Sequence, residues 1–298
     1  MYPAVIEDYV APRTLNDALQ AFGRFPLGDA MCIAGGMSLM QAVKSRFVRP
    51  KCLIDLQHVA ELKGVNLGTD DVTIGAMTRY VDLATEPTLH GAYEALNDAA
   101  AHVGDRQVRN RGTIGGNLCW NYLAACCPPV CIALDATLQL ARADGGGAHA
   151  NRTLNAEGFL KGPLETTRAP NEVLVAIKLP SPPKRAGSAY RKWGLVTDAL
   201  PVIGVAMYLE LDATGACQAA RIAVGGLASG PCRAIDAEKA LIGARAKDTE
   251  KIAAALARAS EETQVQSDLW ADQDYRRFLI RDLGAQVAKT AFQRALGG

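Results

Sequence analysis

Two glycine-rich runs, IAGGMS at Ile33 to Ser38 and RNRGTIGGN at Arg109 to Asn117, carry the residues most suited to holding an anion by backbone alone. The first lies where an apolar run, Ala30 to Ala34, gives way to a helical pattern, Leu39 to Phe47. Bare backbone N–H groups and a helix start then share one loop, an arrangement that favours phosphate. The second run is expected to repeat this chemistry without a following helix. Gly112, Gly115 and Gly116 leave space for a ligand to touch the backbone, Thr113 offers a hydroxyl, and Asn117 offers an amide that both donates and accepts. Two such runs facing each other would clamp a pyrophosphate, so a dinucleotide is the expected guest. Read alone, Gly35 and Gly36 also suit a plain strand-to-helix turn. Ser38 tips the reading toward a ligand, because an N-cap hydroxyl can bond a helix amide or a phosphate oxygen. The run has neither the lysine of a P-loop nor GxGxxG spacing, so neither an ATPase nor a Rossmann assignment follows.

The elements that must position these runs are readable in outline. Thr14 and Asp17 resemble a capping box ahead of a short helix carrying Leu15, Ala18, Leu19 and Phe22. Strands are predicted at Met31 to Ala34, Cys52 to Leu56 and Val72 to Ile74, beginning as a βαβ unit. Ala92 to Val103 is predicted helical and delivers the chain to the second run. Val130 to Leu134, after Pro128 and Pro129, reads as a helix, Thr137 to Ala141 as a strand, Asp144 to Gly147 as a turn, and Glu172 to Leu179 as a strand ending at Pro180. The segment SPPKRAGS, Ser181 to Ser188, reads as a linker. Beyond it, Pro201 to Leu211 and Ala219 to Gly225 read as two strands joined by Asp212 to Gly215. Helical patterns follow at Ala234 to Ile242, Asp248 to Glu261 and Tyr275 to Leu296, so an antiparallel sheet backed by helices is expected. The last helix is basic and amphipathic, and packing of one face on its own domain is favoured over a membrane or partner role.

The chain has 298 residues and a formal net charge of +1. That balance argues against nucleic acid and anionic membranes as partners. No apolar run approaches the roughly 20 residues of a membrane span and the N-terminus lacks a signal-peptide pattern, so a cytoplasmic location is expected. His58, His90, His102 and His149 show no metal-ligand spacing, and no Cys/His pattern resembles a zinc site. No acid–base pair or nucleophile stands out, so no catalytic residue is assigned.

The stretches IAGGMSLMQAVKSRFVRPKCLIDL, TIGAMTR, RNRGTIGGNL, PPVCIALDA, EVLVAIKLP and AYRKWGLVTDALPVIGVA, in this order and spacing, resemble the FAD-binding medium subunit of the xanthine dehydrogenase and carbon monoxide dehydrogenase family of molybdenum hydroxylases. The resemblance covers essentially the whole chain. It implies an α+β protein: a two-subdomain FAD-binding fold of the vanillyl-alcohol oxidase/MurB type over residues 1–180, with subdomains of about 1–58 and 59–180. A linker at 181–188 and a C-terminal domain at 189–298, an antiparallel sheet with helices, would follow. It further implies noncovalent FAD, with the pyrophosphate held by Ile33, Ala34, Gly35, Gly36, Met37, Ser38 and Leu39. Gly112, Thr113, Gly116 and Asn117 would form the opposite wall. Leu174 would pack near the flavin ring, and Lys192 would lie close to it and favour the anionic reduced form. Without the resemblance, Lys192 reads as a snorkelling surface lysine.

The resemblance also implies a large partner subunit with the molybdenum cofactor and a small partner with [2Fe-2S] clusters, assembled as a dimer of heterotrimers. Electrons would pass from the clusters through FAD to an external acceptor, with the organic substrate oxidised on another chain. Alternatives are a subunit like that of 4-hydroxybenzoyl-CoA reductase with an added cluster, a self-sufficient flavin oxidoreductase, and a nonredox assembly module.

One stretch departs from the family. After GGNL many members read AHADPAADLPP, whereas here the same length reads CWNYLAACCPP, which puts Cys126 where an aspartate would contact the ring. Trp120 or Tyr122 is then expected to stack against the flavin. Cys119, Cys126, Cys127 and Cys131 are enough in number for an iron–sulfur cluster. The adjacency of Cys126 and Cys127, and the apolar helical setting of Cys131, favour small buried thiols instead.

Overall fold

The computed structural model describes residues 5–144, 149–196 and 199–297. The first three strands, β1 (Asp8–Val10), β2 (Ala30–Ile33) and β3 (Cys52–Asp55), form a parallel sheet in the order β1–β3–β2. Helix α1 (Leu15–Phe22) starts as expected, with the Thr14 hydroxyl accepting from the Asp17 N–H, and buries Leu15, Ala18 and Leu19. Helix α2 (Leu39–Lys44) links β2 to β3, so the predicted βαβ unit is present. Strand β1, which carries only three residues, gave no sequence signal.

A second sheet is antiparallel. It contains β4 (Val65–Leu67), β5 (Asp71–Gly75), β6 (Thr137–Ala143), β7 (His149–Asn155) and, after a small hairpin of β8 (Leu160–Gly162) and β9 (Glu165–Thr166), β10 (Val173–Pro180). The order is β4–β5–β10–β6–β7. The turn expected at Asp144 to Gly147 lies largely outside the described residues. Short helices lie between β5 and β6: α3 (Tyr80–Leu83), α4 (Ala95–Ala101), α5 (Arg106–Arg111), α6 (Ile114–Trp120) and α7 (Cys127–Ala133). Helix α8 (Ala156–Phe159) follows β7. Pro128 and Pro129 occupy the first turn of α7, where their missing N–H groups leave no helical bond unmade.

The third sheet runs β11 (Ala186–Trp193), β12 (Ile203–Leu211), β13 (Cys217–Gly225) and β14 (Cys232–Arg233), all antiparallel and in sequence order. Strand β11 begins inside the segment 181–188, so Ala186, Gly187 and Ser188 are buried sheet residues and only the part before them is connector. Along β12, Val205, Met207 and Leu209 face a core made with α9 (Ile235–Leu241), α10 (Thr249–Glu262) and α11 (Gln273–Gly297), while Ala206 and Tyr208 face the core of the preceding region. Burial on both faces explains why PVIGVAMYLEL is a nearly unbroken apolar run. An ion-pair clamp joins the two regions: Arg294 on α11 donates to Asp98 on α4 at 2.6 and 3.0 Å and pairs with Glu94 at 2.9 Å. Asp98 in turn accepts from the Tyr190 N–H of β11.

Candidate functional site

Both glycine runs line one open cavity of about 1000 Å³, at the upper end of the roughly 300–1,000 Å³ typical of small-molecule sites. Ala34, Gly35, Gly36, Met37, Ser38 and Leu39 contribute from the end of β2 and the start of α2. Gly36 takes φ +73°, a left-handed conformation that glycine adopts without strain, and this turns the chain from strand into helix. Among the described residues, no acceptor meets the backbone N–H groups of Gly35, Gly36, Met37, Ser38 or Leu39. Ser38 occupies the N-cap position of α2, and its hydroxyl makes no capping bond. Five consecutive donors and a hydroxyl are therefore available to an acceptor-rich guest, at residues that range from buried (Gly35, Leu39) to exposed (Met37, Ser38).

The second run differs from expectation. It is itself a helix start, because Thr113 caps α6 by accepting the Gly116 N–H at 3.1 Å on its hydroxyl. Most of its backbone donors are already bonded: Gly112 N–H to Val108 O, Ile114 N–H to Thr78 O, Gly115 N–H to Ala76 O and Asn117 N–H to Thr113 O. Its glycines serve packing. A Cβ on Gly115 would lie 2.6 Å from the Ala76 oxygen, and one on Gly112 would lie 2.5 Å from the Tyr80 ring. A Cβ on Gly35 would fall within the Arg111 carbonyl, so the two runs abut each other and do not stand as opposite walls. Gly112, Thr113, Gly116, Asn117 and Trp120 still line the cavity. Asn117 brings a buried side-chain oxygen with no partner among the described residues.

Ile33 is placed elsewhere, packing behind the loop with Leu39, Val43 and Leu53. Leu174 on β10 is buried in the large core, and Cys126 is buried at the N-cap of α7; neither lines the cavity. Burial pushes the Cys126 thiol up, against the pull of Lys192 and the Tyr190 hydroxyl, so it is a neutral group and supplies no carboxylate charge. The Lys192 ammonium donates to the Ala199 carbonyl, at the base of a loop whose Leu200 does reach the cavity.

Burial likewise raises Cys119, Cys127 and Cys131, the last to about 12. All eight cysteines are free, and among the described residues no group of three or more His, Cys, Asp or Glu could hold a metal ion.

Several cavity residues gave no sequence signal. Tyr80 follows the TIGAMTR stretch, and its ring seals against Gly112. Asp105 also lines the cavity, its carboxylate already accepting from the Val108 N–H at 2.7 Å. Arg168 joins the lining from beyond the β8–β9 hairpin, whereas Tyr122, which lines the cavity just after α6, is expected from the sequence as a candidate to stack on the flavin. Asn121 ends α6 in the left-handed region at φ 43° and donates to the Gly162 and Glu165 carbonyls of the β8–β9 hairpin. None of these residues belongs to a spacing pattern of its own.

A mixed α+β scaffold with free backbone donors around a large cavity defines a nucleotide-cofactor protein. The family described as the FAD binding domain in molybdopterin dehydrogenase matches residues 4–182, and the one described as the CO dehydrogenase flavoprotein C-terminal domain matches residues 188–291. The chain is 31% identical to the carbon monoxide dehydrogenase medium chain of Hydrogenophaga pseudoflava, over 96% of this chain and 97% of that one. It is also 31% identical to the 6-hydroxypseudooxynicotine dehydrogenase complex subunit alpha of Paenarthrobacter nicotinovorans, covering 97% and 95%.

Among solved structures, carbon monoxide dehydrogenase from Hydrogenophaga pseudoflava superposes with TM-score 0.89 at 33% identity, covering 99% of each chain. Quinoline 2-oxidoreductase from Pseudomonas putida 86 gives TM-score 0.88 at 31% identity, again over 99% of each. The chain belongs to the FAD-binding medium subunits of the molybdenum hydroxylases, and it is an oxidoreductase component. Among the described residues, no helix is long and apolar enough to cross a membrane.

Proposed function

We propose that this chain is the electron-transfer flavoprotein of a multi-subunit molybdenum hydroxylase, holding FAD noncovalently in the cavity that both glycine runs line. The run of free N–H groups from Gly35 to Leu39 carries the reading, since a pyrophosphate is the part of FAD that needs such donors. Bound FAD supplies a reversible store for electrons. The chain's own residues bind and orient it: Gly35 to Leu39 donate, Ser38 adds a hydroxyl, Asn117 adds a buried amide, and Tyr80 and Trp120 wall the cavity. Leu174, Cys126 and Lys192 act from behind the lining, Lys192 by fixing the loop that carries Leu200.

A small partner with [2Fe-2S] clusters would deliver the electrons, a large partner with a molybdenum cofactor would oxidise the organic substrate, and two such heterotrimers would pair. The assembly would work in the cytoplasm. In this scheme residues 1–180 bind FAD, a connector at 181–185 follows, and the second domain begins with β11 at Ala186.

The test is to purify the full chain, denature it and identify what it releases. One FAD per chain is expected. Release of another flavin, or of none from a folded chain, overturns the reading. Turnover of an organic substrate by the isolated chain would overturn the division of labour between subunits.

A further inference from the structure

Arg168 is the one cation among the described residues lining the cavity, and Asp105 is the one carboxylate. Its guanidinium is anchored on one side only. Nη1 donates to the carbonyls of Ala169 at 3.0 Å and Glu172 at 2.8 Å, with a longer contact to Pro170 at 3.4 Å. Nε and Nη2 meet no acceptor among the described residues.

The adjacent carboxylate does not neutralise it. Glu172 is held by Arg152 at 2.6 and 2.7 Å and by the Ala169 N–H at 2.7 Å. The charge of Arg168 is therefore fixed in place and uncompensated. Burial raises the thiols of Cys32, on β2, and Cys119, on α6, and the Arg168 charge opposes that rise at both. Both thiols line the same cavity. The turn Arg168 closes leads directly into β10, which carries Leu174.

We propose that Arg168 sets the positive charge of the cofactor cavity and biases the bound flavin toward its reduced, anionic form. This rests on the FAD reading above. The favoured form carries two more electrons and one more proton than the oxidised ring, hence one net negative charge, which a fixed cation in a partly dry cavity stabilises. The electrons come from an external one- or two-electron donor and the proton from solvent. Arg168 exchanges neither, so its role is electrostatic tuning.

The experiment compares the FAD-loaded full chain with Arg168→Met, Arg168→Gln and Arg168→Lys, each equilibrated with dithionite and a reference dye, and reads the oxidised-to-reduced flavin ratio at one fixed dye potential. Met and Gln are expected to raise that ratio at least tenfold, equivalent to about 30 mV for a two-electron couple. Lys should stay within threefold of the native chain, since it keeps the charge while losing the fork. Gln retains an amide donor for the Glu172 carbonyl, so it and Lys decide the matter if Met fails to fold.

A ratio within twofold of native in folded, FAD-bound neutral variants overturns the proposal. So does a weakened FAD affinity with an unchanged ratio, which would assign Arg168 to the phosphates, or a Lys variant displaced as far as Gln. A native chain that binds no FAD would instead overturn the functional reading on which the proposal rests.

Discussion

The two glycine runs have similar composition and opposite uses of it. In the first, Gly35 to Leu39, the backbone donors find no acceptor among the described residues, the residues line the cavity, and a positive φ at Gly36 makes the turn. In the second, Gly112 to Asn117, the donors are bonded to Val108, Thr78, Ala76 and Thr113, and the glycines make room for Tyr80 and Ala76. In the function proposed above the first run receives the pyrophosphate, whereas the second chiefly supports the first and adds Asn117 to the lining. Glycine content alone says nothing about which task a loop performs, because absence of a Cβ permits both exposure of backbone and close approach to it.

This contrast is sharpest where the runs touch. Gly35→Ala would drive a methyl group into the Arg111 carbonyl, which cannot move without displacing α5 and the start of α6. A loss of about 3 kcal/mol is expected, with FAD binding lost alongside, checked by denaturant midpoint and flavin content. An unchanged midpoint would break the picture of abutting loops.

The next effect separates the two hydroxyls. Ser38→Ala should weaken FAD roughly tenfold, as expected for a hydrogen bond to a charged group, and leave the stability of the cofactor-free chain within about 0.5 kcal/mol, because Ser38 makes no capping bond. Thr113→Val should do the reverse. It removes the cap on the Gly116 N–H and costs about 1 kcal/mol of stability, while FAD affinity per folded chain changes less than about threefold, below 1 kcal/mol. Titration of flavin fluorescence together with thermal melts distinguishes the patterns, and equal effects in both assays for both variants would erase the distinction.

The smallest effect concerns the thiols that flank each run. Burial raises Cys119, and it raises Cys32 to about 12 despite Arg168. The folded state thus favours the neutral thiols, a stabilisation fully present below the ordinary thiol range near pH 9 and lost as pH rises toward about 12. The melting temperature of the cofactor-free chain should fall across that window. Cys32→Ala should flatten the fall, and an unchanged slope would show that Cys32 does not contribute.

Much of the local architecture was legible from residue order. The apolar run before Gly35 and the helical spacing after Leu39 predicted a strand, a turn and a helix, and these are β2, the first run and α2. The apolar run of β12 and the turn at Asp212 to Gly215 were similarly plain, because a bounded apolar run and its turn residues are local properties. The second run was misread as helix-free because Gly115 and Gly116 disfavour a helix interior. Only the approach of Ala76, far away in sequence, explains why a side chain is excluded there. Leu174, Cys126 and Lys192 were expected near the cofactor and are not among the residues that line the cavity; Leu174 and Cys126 are buried, and residue type does not report which way a side chain points.

By itself the sequence determined the family, the α+β class, and the loop in which backbone donors and a serine could gather, because these depend on ordered motifs and short-range periodicity. Tertiary structure alone decided which donors stay free, that the two runs meet, and that Arg168 brings an uncompensated charge to the cavity. Those outcomes depend on partners distant in the chain: Ala76 and Thr78 take the second run's amides, and Arg152 takes the Glu172 carboxylate that would otherwise neutralise Arg168.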